Sequence, residues 1–333
     1  MNKKVTKKNN TIKQVLEAFE GKQAILLTGH VRPDGDALGS AIGLARLLSQ
    51  FCPKVVVSAK TDKLGSPGFL RDYFPITDPE TAAAGEYDMF VTLDCGTLDR
   101  IPAELQNLIG RLPVVNIDHH FTNTRFGNVN WIDPAASSTC EMVWKLSRRN
   151  GMPLNRETAE ALWVGLITDT GRFAHDHTAP STMRCAADLL KYGVRTAWIN
   201  DRLYGFFSRE VLELKRRAFN SLDIWRDGDV AVVKLKHRDF IDTGCVKGDI
   251  EDVVDIPRSL AGSRVALFFY EAKPSEKATR LSIRTRDDLD ATELARQFGG
   301  GGHARAAGCT VPGNLNEAVT TVEKAVNRWL DQQ

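Results

Sequence analysis

The chain has 333 residues, 42% of them hydrophobic and 26% charged, with 44 Lys+Arg against 42 Asp+Glu and a net charge of +2. That length suggests about two domains with a real core, and the near-neutral balance excludes the basic excess of a protein that wraps duplex DNA, so a nucleic-acid partner would be short. Six scattered cysteines without a C-x-x-C pair argue against a disulfide framework, and no apolar run reaches the roughly 18 residues of a membrane span; a soluble cytoplasmic protein with reduced thiols is expected.

Residues 1–12 form a basic, polar tail leading into an amphipathic stretch. Short apolar, β-branched runs then alternate with helical patterns: AILLTG (24–29), a helix over 37–50, VVVSA (55–59), MFVTLD (89–94) and PVVNID (113–118). A further helix starts at Ser138, where Ser138 and Glu141 have capping-box spacing, and stops before Gly151. Helical patterns over 156–166 and 181–192 follow, the second closed by Gly193. This rhythm predicts an α/β domain with a parallel sheet over 13–196. A charged helical stretch over 197–222 serves as connector. Beyond it, VAVVKLK (230–236), RVALFFYEA (264–272) and RLSIRTR (280–286) read as strands, with helices near 250–260 and 314–330, giving a smaller α+β domain over 223–333.

Ligands of open parallel sheets bind beyond the carboxyl ends of the strands. The charged clusters fall there repeatedly: His30, Asp34 and Asp36 after the first strand, Asp94 at the end of the MFVTL strand, and Asp118-His119-His120 after PVVNI. Asp169 lies at the end of the apolar helical stretch ALWVGLIT. Taken singly, each aspartate suits a cap or a turn; Asp36 fits the N-cap of the helix that begins at Ala37, and Asp34-Gly35 fits a turn. Taken together, unpaired carboxylates would repel one another, and a cation resolves the repulsion. At least four carboxylates and two imidazoles suit two divalent ions about 3.5–4 Å apart that share a carboxylate. Imidazole in the set favours Mn²⁺, Co²⁺ or Zn²⁺ over an all-oxygen Mg²⁺ site, and the absence of cysteine at these places argues against structural zinc. Phosphoester hydrolysis is the natural reaction of such a pair.

The segments HVRPDGDALGS, LDCG, DHH and GLITDTGRF, in this order, resemble the four motifs of the DHH phosphoesterase family, and FGGGGHARAAG (298–308) resembles the glycine loop of the DHH-associated domain. The resemblance implies two lobes with the active site in the cleft between them and a Mn²⁺ pair on the first, Co²⁺ or Mg²⁺ being possible substitutes. It implies that His30, Asp34 and Asp94 hold one ion, and that Asp36, Asp94, His119 and Asp169 hold the other. His120 would face the substrate phosphate as hydrogen-bond donor or acid, and Asp118 would orient its neighbours. In the glycine loop, Gly300, Gly301 and Gly302 let backbone N–H groups approach an anion, with the charges of His303 and Arg305 beside them. Arg284 resembles the family arginine that grips substrate there, where a planar guanidinium suits phosphate.

The implied substrates are short RNA oligonucleotides, degraded to mononucleotides, and 3′-phosphoadenosine 5′-phosphate; few phosphate contacts suffice for them. The resemblance leaves room for a homodimer and none for a membrane. Two other readings stand beside it: a pyrophosphatase or exopolyphosphatase, against which the glycine loop speaks, and a nucleic-acid-binding relative without catalysis, against which the full set of motif residues speaks. His175-Asp176-His177 in the loop after Asp169 suits solvated or substrate-facing roles better than a third metal, and five tryptophans (Trp131, Trp144, Trp163, Trp198, Trp225) fit core or interface positions.

Overall fold

The computed structural model describes residues 9–205, 207–246, 250, 252–271, 275, 277–286 and 288–333, the side chains of Lys63 and His303 excepted. Up to residue 8 the expected basic tail lies outside the described residues, as does part of the helix expected near 250–260. The chain forms two units, Met1–Phe206 and Phe207–Gln333.

The first unit is built on six parallel strands: β1 (Ala24–Thr28), β2 (Lys54–Ser58), β3 (Ile76–Thr77), β4 (Met89–Leu93), β5 (Val114–Asp118) and β6 (Val129–Ile132), in the spatial order β3-β2-β1-β4-β5-β6. β4 and β5 are buried at every position, which is why they read as unbroken apolar runs. β3 and β6 carry no such signal: one has two residues, and the other seats Asn130 among its apolar positions. The strand order reverses between β1 and β4, which opens a crevice at their carboxyl ends.

Around this sheet lie α1 (Ile12–Phe19), α2 (Gly35–Leu48), α3 (Pro79–Ala83), α4 (Thr139–Arg149), α5 (Arg156–Asp169), α6 (Pro180–Leu190) and α7 (Thr196–Asn200). Gly35, Gly39 and Gly43 repeat every four residues and so share one face of α2, which packs closely on α5. A Cβ on Gly39 would sit 2.4 Å from the Ala161 carbonyl oxygen, and one on Gly165 would sit 2.7 Å from Asp36 Oδ1. Only glycine allows this approach, and the approach brings the start of α2 and the end of α5 to the same place. The capping box expected at Ser138 is half formed: Ser138 Oγ accepts the Glu141 amide at 3.0 Å, but the Glu141 carboxylate accepts from the Ser137 amide at 3.1 Å instead of turning to Ser138.

The stretch over 197–222, which reads as one or two charged helices, holds α7, a π-helical turn at Asp201–Gly205, and α8 (Arg209–Asn220), which opens the second unit. There β7 (Asp223–Trp225), β8 (Val230–Leu235), β9 (Val265–Glu271), β10 (Ala278–Thr285), β11 (Gly301–His303) and β12 (Ala306–Pro312) form a mixed sheet in the order β11-β12-β10-β9-β8-β7. β8 and β9 pair parallel and the other neighbours antiparallel. One core contains residues of α11 (Ala291–Arg296) and α12 (Leu315–Leu330); another contains residues of α8 and α10 (Asp255–Arg258), with Phe240 of α9 (His237–Thr243) packed against it. Among the described residues no helix is long and apolar enough to cross a membrane.

Candidate metal centre

The site is assembled from loops at the carboxyl ends of β1, β4 and β5 and from the last residue of α5. The N-cap of α2 is Asp34, not Asp36: Asp34 Oδ1 accepts the amides of Asp36 and Ala37, both at 3.0 Å, so the helix begins at Gly35. Asp36, already in the first turn, reaches across to α4, whose Thr139 and Cys140 amides donate to it at 2.7 and 2.8 Å. Asp94 follows β4 directly, in the left-handed region at φ 55°, and its amide donates to the Ile117 carbonyl at 3.0 Å. Such a conformation is unusual for a residue with a Cβ and concentrates at functional positions.

The tautomers of the two adjacent histidines follow from their partners. His119 Nδ1 lies 3.3 Å from the Ala136 carbonyl, which can only accept, so Nδ1 carries the proton and Nε2 offers a lone pair. That Nε2 is 3.3 Å from Asp169 Oδ2, 3.6 Å from Asp94 Oδ1 and 4.0 Å from Asp36 Oδ2. His120 Nδ1 is 2.7 Å from Asp118 Oδ1, which leaves its Nε2 unengaged by that carboxylate. The other oxygen of Asp118 accepts from Asn123 Nδ2 at 2.5 Å, and the same amide also reaches the Asn116 side chain and the Cys95 carbonyl. His30 Nε2 is 3.5 Å from both Asp34 Oδ2 and Asp94 Oδ2.

Three groupings therefore have ligand atoms within 4.8 Å of one another: His30 with Asp34 and Asp94, Asp36 with His119 and Asp169, and Asp94 with His119 and His120. These groupings bring together His30, Asp34, Asp36, Asp94, His119, His120 and Asp169, and Asp118 joins them through its contact with His120. Asn123, which ties down the DHH loop, was not expected; its only sequence signal is an asparagine three residues past the motif.

Electrostatics define what the site lacks. Burial, then the nearby carboxylates of Asp36, Asp34, Asp118 and Asp169, push Asp94 well above the usual carboxylate range. Burial, then the carboxylates of Asp36, Asp34 and Asp118, push Asp169 up to about 9, and burial raises Asp36. Asp94 Oδ1 and Asp169 Oδ2 are buried without a hydrogen-bond donor. Burial also works against Asp118, but His120 and Asn123 outweigh it and hold its carboxyl below the ordinary range, and the same contact with Asp118 raises His120. Mixed oxygen and nitrogen donors, crowded negative charge and orphaned oxygens fit divalent cations.

His175 Nδ1 and His177 Nε2 each lie 3.1 Å from the Asp169 carbonyl oxygen, so both imidazoles donate to the backbone that ends α5. In the second unit, Arg284 is half-buried on β10 and shares a pocket with Arg258, Arg264 and Arg286; burial lowers its pKa. The glycine run forms β11, paired with β12, and the Gly300 amide is already given to the Ala295 carbonyl at 2.9 Å. Arg305 donates to the Leu289 carbonyl, and the side chain of His303 lies outside the described residues.

A parallel sheet whose switch point gathers two imidazoles and four carboxylates, with D-H-H after its fifth strand, defines a metal-dependent phosphoesterase of the DHH type. The chain belongs to the DHH family: residues 24–166 match the DHH family, N-terminal domain, and residues 227–330 match the DHHA1 domain. Over 97% of this chain and 94% of the other, it is 34% identical to the bifunctional oligoribonuclease and PAP phosphatase NrnA of Thermus thermophilus. It is 28% identical to the protein of the same name from Bacillus subtilis, over 86% and 89% of the two chains. An exopolyphosphatase-related protein of Bacteroides fragilis has a similar structure, with a TM-score of 0.84, 28% identity and 96% of each chain covered. The chain is thus a hydrolytic enzyme.

Proposed function

We propose that this enzyme releases nucleoside monophosphates from short oligoribonucleotides and dephosphorylates 3′-phosphoadenosine 5′-phosphate, using Mn²⁺ in the cytoplasm. The observation that carries the reading is the convergence of Asp36, Asp94, Asp169, His30 and His119 with no Lys or Arg paired to these carboxylates among the described residues. The names of the Thermus and Bacillus relatives, over nearly the whole chain, support the substrate class.

His30, Asp34 and Asp94 would hold one ion and Asp36, Asp94, His119 and Asp169 the other, with Asp94 common to both. Ions bound there lower the pKa of water and offset charge gathering on the phosphoryl group. The chain's residues supply orientation and proton handling. Asp118 keeps the His120 proton on Nδ1 and raises the basicity of the ring, so a protonated His120 presents a second N–H at Nε2 to a phosphoryl oxygen. The same N–H would protonate the departing oxygen. Asn123 fixes Asp118, and His119 is oriented by Ala136. In the second unit, Arg284, Arg305, His303 and the glycines at 300–302 are proposed to grip the far end of the substrate.

One substrate panel tests this: linear dinucleotides, five-mers, 3′-phosphoadenosine 5′-phosphate, cyclic dinucleotides and pyrophosphate, each with Mn²⁺ and with Mg²⁺. Linear dinucleotides and the bisphosphate are expected to turn over fastest. Preferential hydrolysis of pyrophosphate would replace this reading with the pyrophosphatase one.

A further inference from the structure

Phe121 follows the D-H-H triplet directly, and its ring is 90% exposed, the most exposed of the large hydrophobic side chains among the described residues. Leaving an aromatic ring in water forgoes the stabilisation that burial gives. Among the described residues it has no ring partner and no cation over its face.

The backbone beneath this ring is held on both sides. The His120 amide donates to Asp118 Oδ1 at 3.2 Å, the Asn123 amide to the His120 carbonyl at 3.1 Å, and the Thr124 amide to the Gly96 carbonyl at 2.9 Å. Asn123 clamps the same loop through its side chain to Asp118, Asn116 and Cys95. The ring is thus an exposed apolar surface on an ordered base, one residue from the imidazole that faces the phosphate. In the first unit the other strongly exposed phenylalanine, Phe51, lies beyond the far end of α2, about 20 Å along that helix from Asp34.

We propose that Phe121 is the platform on which a nucleobase of the substrate stacks, adjoining the phosphate held at His120. The inference rests on the phosphoesterase reading above and names a determinant of its specificity. A base offers a flat π-face whatever its identity, so stacking would admit every nucleotide, favour purines through their larger area, and discriminate against phosphate compounds without a base.

The test compares the wild type with Phe121→Ala and Phe121→Trp on two substrates: a diadenosine dinucleotide and an abasic dinucleotide with the same phosphates, both with Mn²⁺. Phe121→Ala should lower kcat/KM on the diadenosine substrate about tenfold or more, mostly through KM, and leave the abasic one unchanged. Phe121→Trp should restore the loss. Because the ring is exposed, thermal melting should stay within the wild-type range, and so should the mass in solution. Equal losses on both substrates, no loss on either, or a changed oligomeric mass in Phe121→Ala overturns the proposal while the enzyme reading stands. A wild type that hydrolyses neither dinucleotide overturns both.

Discussion

Buried carboxylates meet two different fates within the first unit. Glu160 is fully buried, yet it accepts from the Arg195 amide and guanidinium at 2.8–3.0 Å and from the Tyr73 hydroxyl. Glu141 is equally buried and has Lys145 at 2.9 Å with Ser137 and Thr182 donating to it. Burial pushes both glutamates up, but their partners outweigh it, and each ends below its ordinary range. Asp36 and Asp94 are buried and Asp169 is half-buried, and burial pushes all three up, helped by other carboxylates nearby. Glu141 and Glu160 each have a Lys or Arg partner, whereas among the described residues these three aspartates have none. A charge from outside the chain would compensate such a cluster.

The heaviest loss of activity belongs to the uncompensated cluster and the histidine beside it. His120→Ala should lower kcat on a dinucleotide by about 10²-fold or more while Mn²⁺ binding survives, since it removes a proton-handling group and leaves the six ligands. Asp118→Asn should cost about tenfold, through the orientation of His120 alone. Loss of Mn²⁺ binding in His120→Ala would move that residue into the ligand set, where its proximity to Asp94 and His119 also allows it.

The opposite result is expected at the structural end. Glu160→Gln should leave kcat/KM near the wild-type value and lower the unfolding free energy at pH 7 by about 1–3 kcal/mol, the lower part of the range because Arg195 is 40% exposed. The sign with pH is fixed by the depressed folded pKa: the stabilisation is complete above the unfolded value of about 4.3 and is lost as pH falls through the folded one. Urea unfolding at pH 7 and pH 3 should show the gap between wild type and variant closing at the lower pH. An unchanged gap would mean that charge on Glu160 is not what stabilises it.

How much of this was legible in the sequence depends on how each feature is encoded. The central strands announce themselves because burial on both faces demands unbroken apolar runs, and the motif residues are legible because each stands at the end of such a run. β6, β7 and β11 were invisible: they are three or four residues long and one is mostly glycine. The glycines of α2 could be seen but not interpreted, since a close approach to α5 involves residues more than a hundred positions away. Asp34 takes the capping role expected of Asp36, whose carboxylate has partners on α4 that no local pattern displays. The clamp at Asn123 and the carbonyl of Ala136 that sets the His119 tautomer are likewise contacts of the folded chain.

If the carboxylate cluster exists to hold cations, those cations can be counted. Chelator-stripped protein titrated with Mn²⁺, with free ion read by electron paramagnetic resonance and turnover measured in the same samples, should bind two ions per chain and recover activity in parallel. Asp94→Asn, which removes the shared ligand, should bind fewer and stay inactive, whereas Glu160→Gln should bind two. Full turnover by the stripped wild type, or two retained ions in Asp94→Asn, would contradict the account.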